Sequence, residues 1–204
     1  MTTTSPVPPA GAAGLLERIV RRPRPWVTAT VFAVTAATGI AQLVDSALLD
    51  EFRRDPAKID DGQWWRLGSA MFFQDGWTRG LIFNLLILAF FGIVAERAFG
   101  RTRWLLLYFG CGLFGQTMSY LWLRSTGAGN SMCVAGLIGA LTVVALVWPD
   151  RLPAFRPPRL ALLAVPVLAV VDTVVRDNHG LPLLLGMVAG FVLLPRDHAQ
   201  LAGK

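Results

Sequence analysis

Long apolar stretches alternate with short polar runs along this chain, and six of them have the length or the company of membrane helices. The first, Trp26 to Leu49, exceeds the about 20 residues that carry a helix across a bilayer core. It is also longer than the about 7–15 apolar residues of a secretory signal, so it predicts a retained first span. The others read Leu81 to Ala95, Trp104 to Leu123, Ser131 to Trp148, Leu160 to Val175 and Leu181 to Leu194. A span below about 17 residues needs local thinning of the bilayer or shelter within a bundle, and the glycines of the fourth and sixth suit interior helices. The pattern predicts an all-α, single-domain polytopic membrane protein, a six-transmembrane-helix bundle over 26–195.

Between the first two spans, Asp50 to Gly80 is a mixed-charge loop holding Trp64, Trp65, Trp77, Phe72 and Phe73. Aromatic side chains favour headgroup depth, so an ordered element in the membrane interface is expected here. Residues 1–25 are rich in Thr, Pro, Ala and Gly with a basic end, and predict a disordered cytoplasmic tail. Residues 196–204 form a second tail.

Composition agrees with the pattern: 54% of the 204 residues are hydrophobic and 16% charged. The formal charge of +6 does not mark a nucleic-acid partner, because no basic run carries interleaved aromatics or glycines. It reads instead as topology. Arg97, Arg101 and Arg103 follow the second span and Arg151, Arg156 and Arg159 the fourth, whereas the third-to-fourth and fifth-to-sixth connections hold Arg124 and Arg176 alone. The positive-inside rule then puts both termini in the cytoplasm and Ser131 toward the outer face of the cell membrane, with the lipid bilayer as first partner. Cys111 and Cys133 fall within apolar segments as free thiols, and no metal or other cofactor is expected.

The chemistry gathers at Gly127-Ala128-Gly129-Asn130-Ser131, a glycine-rich turn opening the fourth span. Either Asn130 or Ser131 can cap the helix that follows. Alternatively, Ser131 is a nucleophile beside the partial positive charge of a helix N-terminus.

Six spans, a long aromatic first loop and a Gly-x-Ser opening the fourth helix resemble the rhomboid family of intramembrane serine proteases. Trp65-Arg66 resembles its Trp-Arg motif. Asn84, Gly92, Glu96 and Gly100 are similar to its second-span pattern, Gly129, Ser131, Gly136 and Gly139 to its fourth, and Gly186 and Gly190 to the glycines of its sixth. The resemblance implies Ser131 as nucleophile and Asn84 as an oxyanion donor. It implies close packing of the fourth and sixth helices through Gly136, Ala140, Gly186 and Gly190, with the side chain at 183 pointing at Ser131. Glu96 reads as a structural charge near the headgroups beside Arg97.

Three matches fail. The family's catalytic histidine falls on Leu183, its oxyanion-side histidine on Gly80, and the glycine after its nucleophile on Met132. A leucine neither accepts nor returns a proton, and losing the base of a serine protease costs about 10⁶ in turnover. His179 is the remaining imidazole on the outer side; Pro182 places it in the turn Asp177-Asn178-His179-Gly180, as a solvated loop histidine unless the turn folds over Ser131. His198 lies beyond the last span. Two functions follow. One is a rhomboid-like protein, proteolytically impaired or inactive, that recognises transmembrane segments of other membrane proteins. The alternative is a divergent intramembrane serine protease with Ser131 as nucleophile, His179 as base and Asn84 at the oxyanion.

Overall fold

A computed structural model describes residues 24–152 and 157–194. The expected tails fall almost wholly at 1–23 and 195–204, outside the described residues, as do Arg156 and His198. Among the described residues every regular element is helical. In chain order they are α1 (Trp26–Val44), α2 (Ala47–Phe52), α3 (Pro56–Asp60), α4 (Arg66–Ser69), α5 (Trp77–Phe99), α6 (Arg101–Met118), α7 (Ser131–Val147), α8 (Arg159–Val174) and α9 (Gly180–Leu193). The last turn of α6 widens into a π-helix over Ser119–Leu123.

Boundaries shift for local reasons. The first apolar stretch breaks at Asp45, whose backbone is extended and whose Oδ1 accepts the Ala47 N–H at 3.0 Å, so α1 stops at Val44 and a separate α2 begins. Gly76, at φ 82°, lets α5 start at Trp77, four residues before the expected edge, and α5 continues to Phe99. Gly100, at φ 77°, then turns the chain straight into α6. By length and composition, α1 and α5 can cross a membrane, while α7 and α9 are shorter and apolar. Ile82, Phe83, Leu86 and Phe90 of α5 and Leu160, Leu163, Val167 and Val171 of α8 stay exposed. An apolar periphery that broad suits lipid rather than water.

Helix α7 runs through the centre and packs most extensively against α9, then against α6. Both α7 and α9 start at the same end of the bundle, so they run parallel. An added Cβ at Gly186 would overlap the Gly136 carbonyl, one at Gly139 the Leu183 carbonyl, and one at Gly190 the Cα of Ala140. Small residues are required there because backbone meets backbone. The core beside this seam is built on Trp104, Leu107, Tyr108, Leu137 and Leu141, and the Trp104 Nε1–H donates to the Gly92 carbonyl at 2.9 Å.

At the opposite end of the bundle from Ser131, the Glu96 carboxylate meets the start of α1. Its Oε1 accepts the Val27 N–H at 3.1 Å, and its Oε2 accepts the N–H and hydroxyl of Thr28, each at 2.7 Å. The residue before α1 is Pro25, which offers no capping side chain. Glu96 therefore caps α1 from α5 and meets its partial positive charge. Arg101 Nε stands 4.0 Å from the same carboxylate.

The first loop is folded on itself. Arg66 is 3% exposed; its Nε–H donates to Gln63 Oε1 at 2.7 Å and its Nη1 to the carbonyls of Asp50 and Arg53 at 3.1 and 3.0 Å. Arg66 is thus a buried staple of the loop, while Trp64, Trp65 and Trp77 are exposed.

Candidate active site

Arg54 and Gly127 pair as an antiparallel bridge, the Arg54 N–H donating at 2.9 Å and the Gly127 N–H returning at 3.0 Å. This ties the first loop to the turn that precedes Ser131. The Arg54 side chain is fully buried, donates through Nε to the Ser125 carbonyl at 2.8 Å, and bonds Gln116 Oε1 through Nη1. Burial pulls its guanidinium down to about 10 while Asp75 opposes the shift, and it stays charged at neutral pH. Asp75 Oδ2 accepts the Ala128 N–H at 2.7 Å, and the Gly129 N–H donates to the Ala70 carbonyl at 2.8 Å. The turn before the serine is therefore held residue by residue.

Ser131 opens α7. Its Oγ lies 2.8 Å from His179 Nε2, and the other ring nitrogen, Nδ1, lies 2.7 Å from Asp177 Oδ1. Asp177 Oδ1 also accepts the His179 backbone N–H at 2.8 Å. A carboxylate only accepts, so Nδ1 carries the proton and Nε2 takes the serine hydroxyl's. Burial pushes the Asp177 carboxyl up, but the His179 amide, the His179 ring and the attraction between the two groups outweigh it, and the carboxyl titrates below its ordinary range.

Asn84 closes the other side of the site. It is buried, and its Nδ2 donates to Gln74 Oε1 at 2.6 Å. Gln74 is itself gripped by Gln42, whose Oε1 accepts the Gln74 N–H at 2.9 Å and whose Nε2 donates to the Gln74 carbonyl at 2.5 Å. A Cβ placed on Gly129 would sit 3.4 Å from Ser131 Oγ, 3.6 Å from Asn84 Nδ2 and 3.7 Å from Gln74 Oε1. The missing side chain leaves a space bordered by the hydroxyl and the carboxamide. A carboxamide has two N–H groups, so Asn84 retains one for a bound oxygen. Among the described residues no three His, Cys, Asp or Glu side chains gather as metal ligands.

A Rhomboid domain model matches residues 61–196. The chain belongs to the rhomboid family. It is 28% identical over 138 residues to the putative rhomboid protease YdcA of Bacillus subtilis (strain 168), covering 66% of this chain and 68% of that one. It is 36% identical over 93 residues to the rhomboid protease GluP of the same organism, 46% of this chain and 18% of that one. RHOMBOID-like protein 4 of Arabidopsis thaliana is 36% identical over 146 residues, 69% of this chain and 36% of that one. The chain thus spans well under half the length of two of these three rhomboid relatives.

Within this rhomboid the side chain at 183 does not face Ser131. Leu183 clusters with Ala135 and Ala169, one helical turn further along the seam, and His179 stands beside the serine instead. The parallel register explains it. Ser131 is the first residue of α7, so its neighbour on the other helix is the residue just before α9 begins. Pro182 sits in the first turn of α9, where its missing N–H costs nothing, and the Leu183 N–H donates to the His179 carbonyl at 3.1 Å. The helix thus reaches back to His179, which is no free loop residue. Gly80 offers no room for an imidazole: an added Cβ would overlap the Asp75 carbonyl. Met132 turns its Sδ toward Gly115 and Ser119 on the α6 side.

Sequence reasoning missed Asp177, Gln74, Gln42 and Arg54. An Asp two residues before a His is a recognisable Asx-turn signal and points to Asp177. The other three are polar residues whose burial no local pattern announces.

Proposed function

We propose that the protein is an intramembrane serine protease of the rhomboid family, cleaving peptide bonds in or beside transmembrane segments of other membrane proteins. The 2.8 Å contact between Ser131 Oγ and His179 Nε2 carries this reading. As Oγ bonds the substrate carbonyl carbon, its proton passes to Nε2; the carbonyl oxygen becomes an oxyanion facing the Asn84 carboxamide and the free amides of the first turn of α7. Collapse breaks the C–N bond and returns the Nε2 proton to the leaving amine. Water then repeats the sequence on the acyl-serine and releases the carboxylic acid.

In this reading α1, α5, α6, α7, α8 and α9 are the six spans of the cell membrane, both termini are cytoplasmic, and the Ser131 end faces outward. A second reading, a rhomboid that binds transmembrane segments without cutting them, draws on the apolar Leu183 at the family's base position. A fluorophosphonate probe, which labels activated serines, separates the two. The protease reading expects labelling of the wild type that is lost in both Ser131→Ala and His179→Ala; an unlabelled wild type overturns it.

A further inference from the structure

We propose that Asp177 is a positioning residue for His179, so that this rhomboid works with a Ser131–His179–Asp177 triad whose base and carboxylate come from one turn of chain. The inference rests on the protease reading above. Asp177 Oδ1 takes two protons from the same residue, the His179 backbone N–H at 2.8 Å and the ring Nδ1–H at 2.7 Å. The first contact is an ordinary Asx turn and needs nothing from the imidazole. The second is separate from it, and it excludes the tautomer that carries its proton on Nε2. That tautomer cannot accept from Ser131.

The turn is anchored well enough to make the contact specific. The Asp177 N–H donates to the Asp172 carbonyl at 2.7 Å and the Arg176 N–H to the Thr173 carbonyl at 3.2 Å, both at the end of α8. Gly180 lies so close to Thr173 that a Cβ there would meet its hydroxyl and amide. On the far side, His179 is the residue immediately before α9. The imidazole therefore has its backbone fixed by two helices and its ring plane fixed by Asp177. The carboxylate stays ionised through the reaction and stabilises the imidazolium that forms when Nε2 takes the serine proton; it does not itself receive a proton. His179 and Asp177 side chains are 39% and 46% exposed, so solvent weakens this stabilisation relative to a buried triad.

The test uses the full chain in detergent micelles with ¹⁵N-labelled histidine. Only two histidines occur, and His198→Gln assigns the signals. The expected wild-type spectrum has His179 protonated at Nδ1 with a far-downfield imidazole proton. Asp177→Ala removes the one oxygen that both the backbone N–H and the ring Nδ1–H use, so the downfield proton disappears and the ring moves toward the Nε2–H tautomer. In parallel, the maximal rate of fluorophosphonate labelling of Ser131 falls by about 10²–10⁴-fold, the upper figure being that of a buried triad carboxylate, while the probe concentration giving half-maximal rate is unchanged. Asp177→Glu, which can still reach the ring, recovers part of the rate. An Asp177→Ala protein with the wild-type spectrum and rate overturns the triad and leaves the Ser131–His179 pair standing. A locked Nδ1–H tautomer with no labelling of wild-type Ser131 counts against the protease reading, and with it the functional role of Asp177.

Discussion

The seam between α7 and α9 and the first loop, Asp45 to Gly76, hold the two sides of the same site by opposite means. Along the seam, backbones touch: Gly136 meets Gly186, and Gly190 meets the backbone and single methyl of Ala140. In the loop, backbones are kept in place by buried polar side chains, with Arg54 and Arg66 bonded to carbonyls and Gln42 clamped on Gln74. Membrane helices gain little from burying apolar groups against one another, because lipid is equally apolar, so close fit governs the seam. A loop at the membrane surface has many unpaired carbonyls, and a guanidinium with five donors satisfies several at once. The seam sets the depth of Ser131 against His179, and the loop sets the aim of Asn84 and the turn before the serine.

The largest effect is expected at the seam. Gly186→Leu pushes a side chain into the Gly136 carbonyl, and since the obstacle is backbone the loss of stability should reach about 3 kcal/mol or more, at the top of the range for overpacking. Thermal unfolding in detergent reads it, and a melting temperature equal to wild type would remove the close-packed seam. Arg54→Ala comes next. It strands Gln116 and the Ser125 carbonyl in a buried site, with an expected cost of about 2–3 kcal/mol, and it loosens the turn before Ser131, so serine labelling should fall along with stability.

A smaller contrast lies within the loop. Arg66→Ala loses three hydrogen bonds from a buried group and should cost about 1–2 kcal/mol, whereas Arg53→Ala removes a surface pair with Asp50 and should stay within about 0.5 kcal/mol. Equal midpoints in the two variants would show that the loop is not stapled from inside. The weakest effect is expected at the loop's rim, where Asp60 bonds Arg124 and Tyr120. The Arg124 hydrogen bond, then that of Tyr120, lowers its carboxyl from 3.8 to about 2. A carboxyl lowered in the folded state contributes stability that is complete above its unfolded value and is lost as pH falls toward the folded one. The melting temperature of the wild type should therefore drop between about pH 4 and pH 2 more than that of Asp60→Asn, and parallel curves would show that this contact does not stabilise the fold.

Hydrophobic pattern alone made the helical class and the positions of the long helices legible, because an apolar run of that length has few other ways to satisfy its backbone in lipid. Its errors sit at edges, such as Asp45 and Gly76, where one side-chain cap or one positive φ decides. The small-residue spacing of 136, 140, 186 and 190 was likewise readable, since a missing side chain is visible in sequence. The pairing of Ser131 with a histidine was not readable from spacing, which led to Leu183. What decided it was register: two parallel helices starting at one end bring the first residue of α7 level with the residue before α9, and a shift of one turn moves the position level with Ser131 by about 5.4 Å, enough to exchange leucine for imidazole. Burial of Arg54, Arg66 and Gln74 was equally a tertiary matter, because their partners are main-chain carbonyls and carboxamides in other elements or across the loop, and main-chain groups look the same in every sequence.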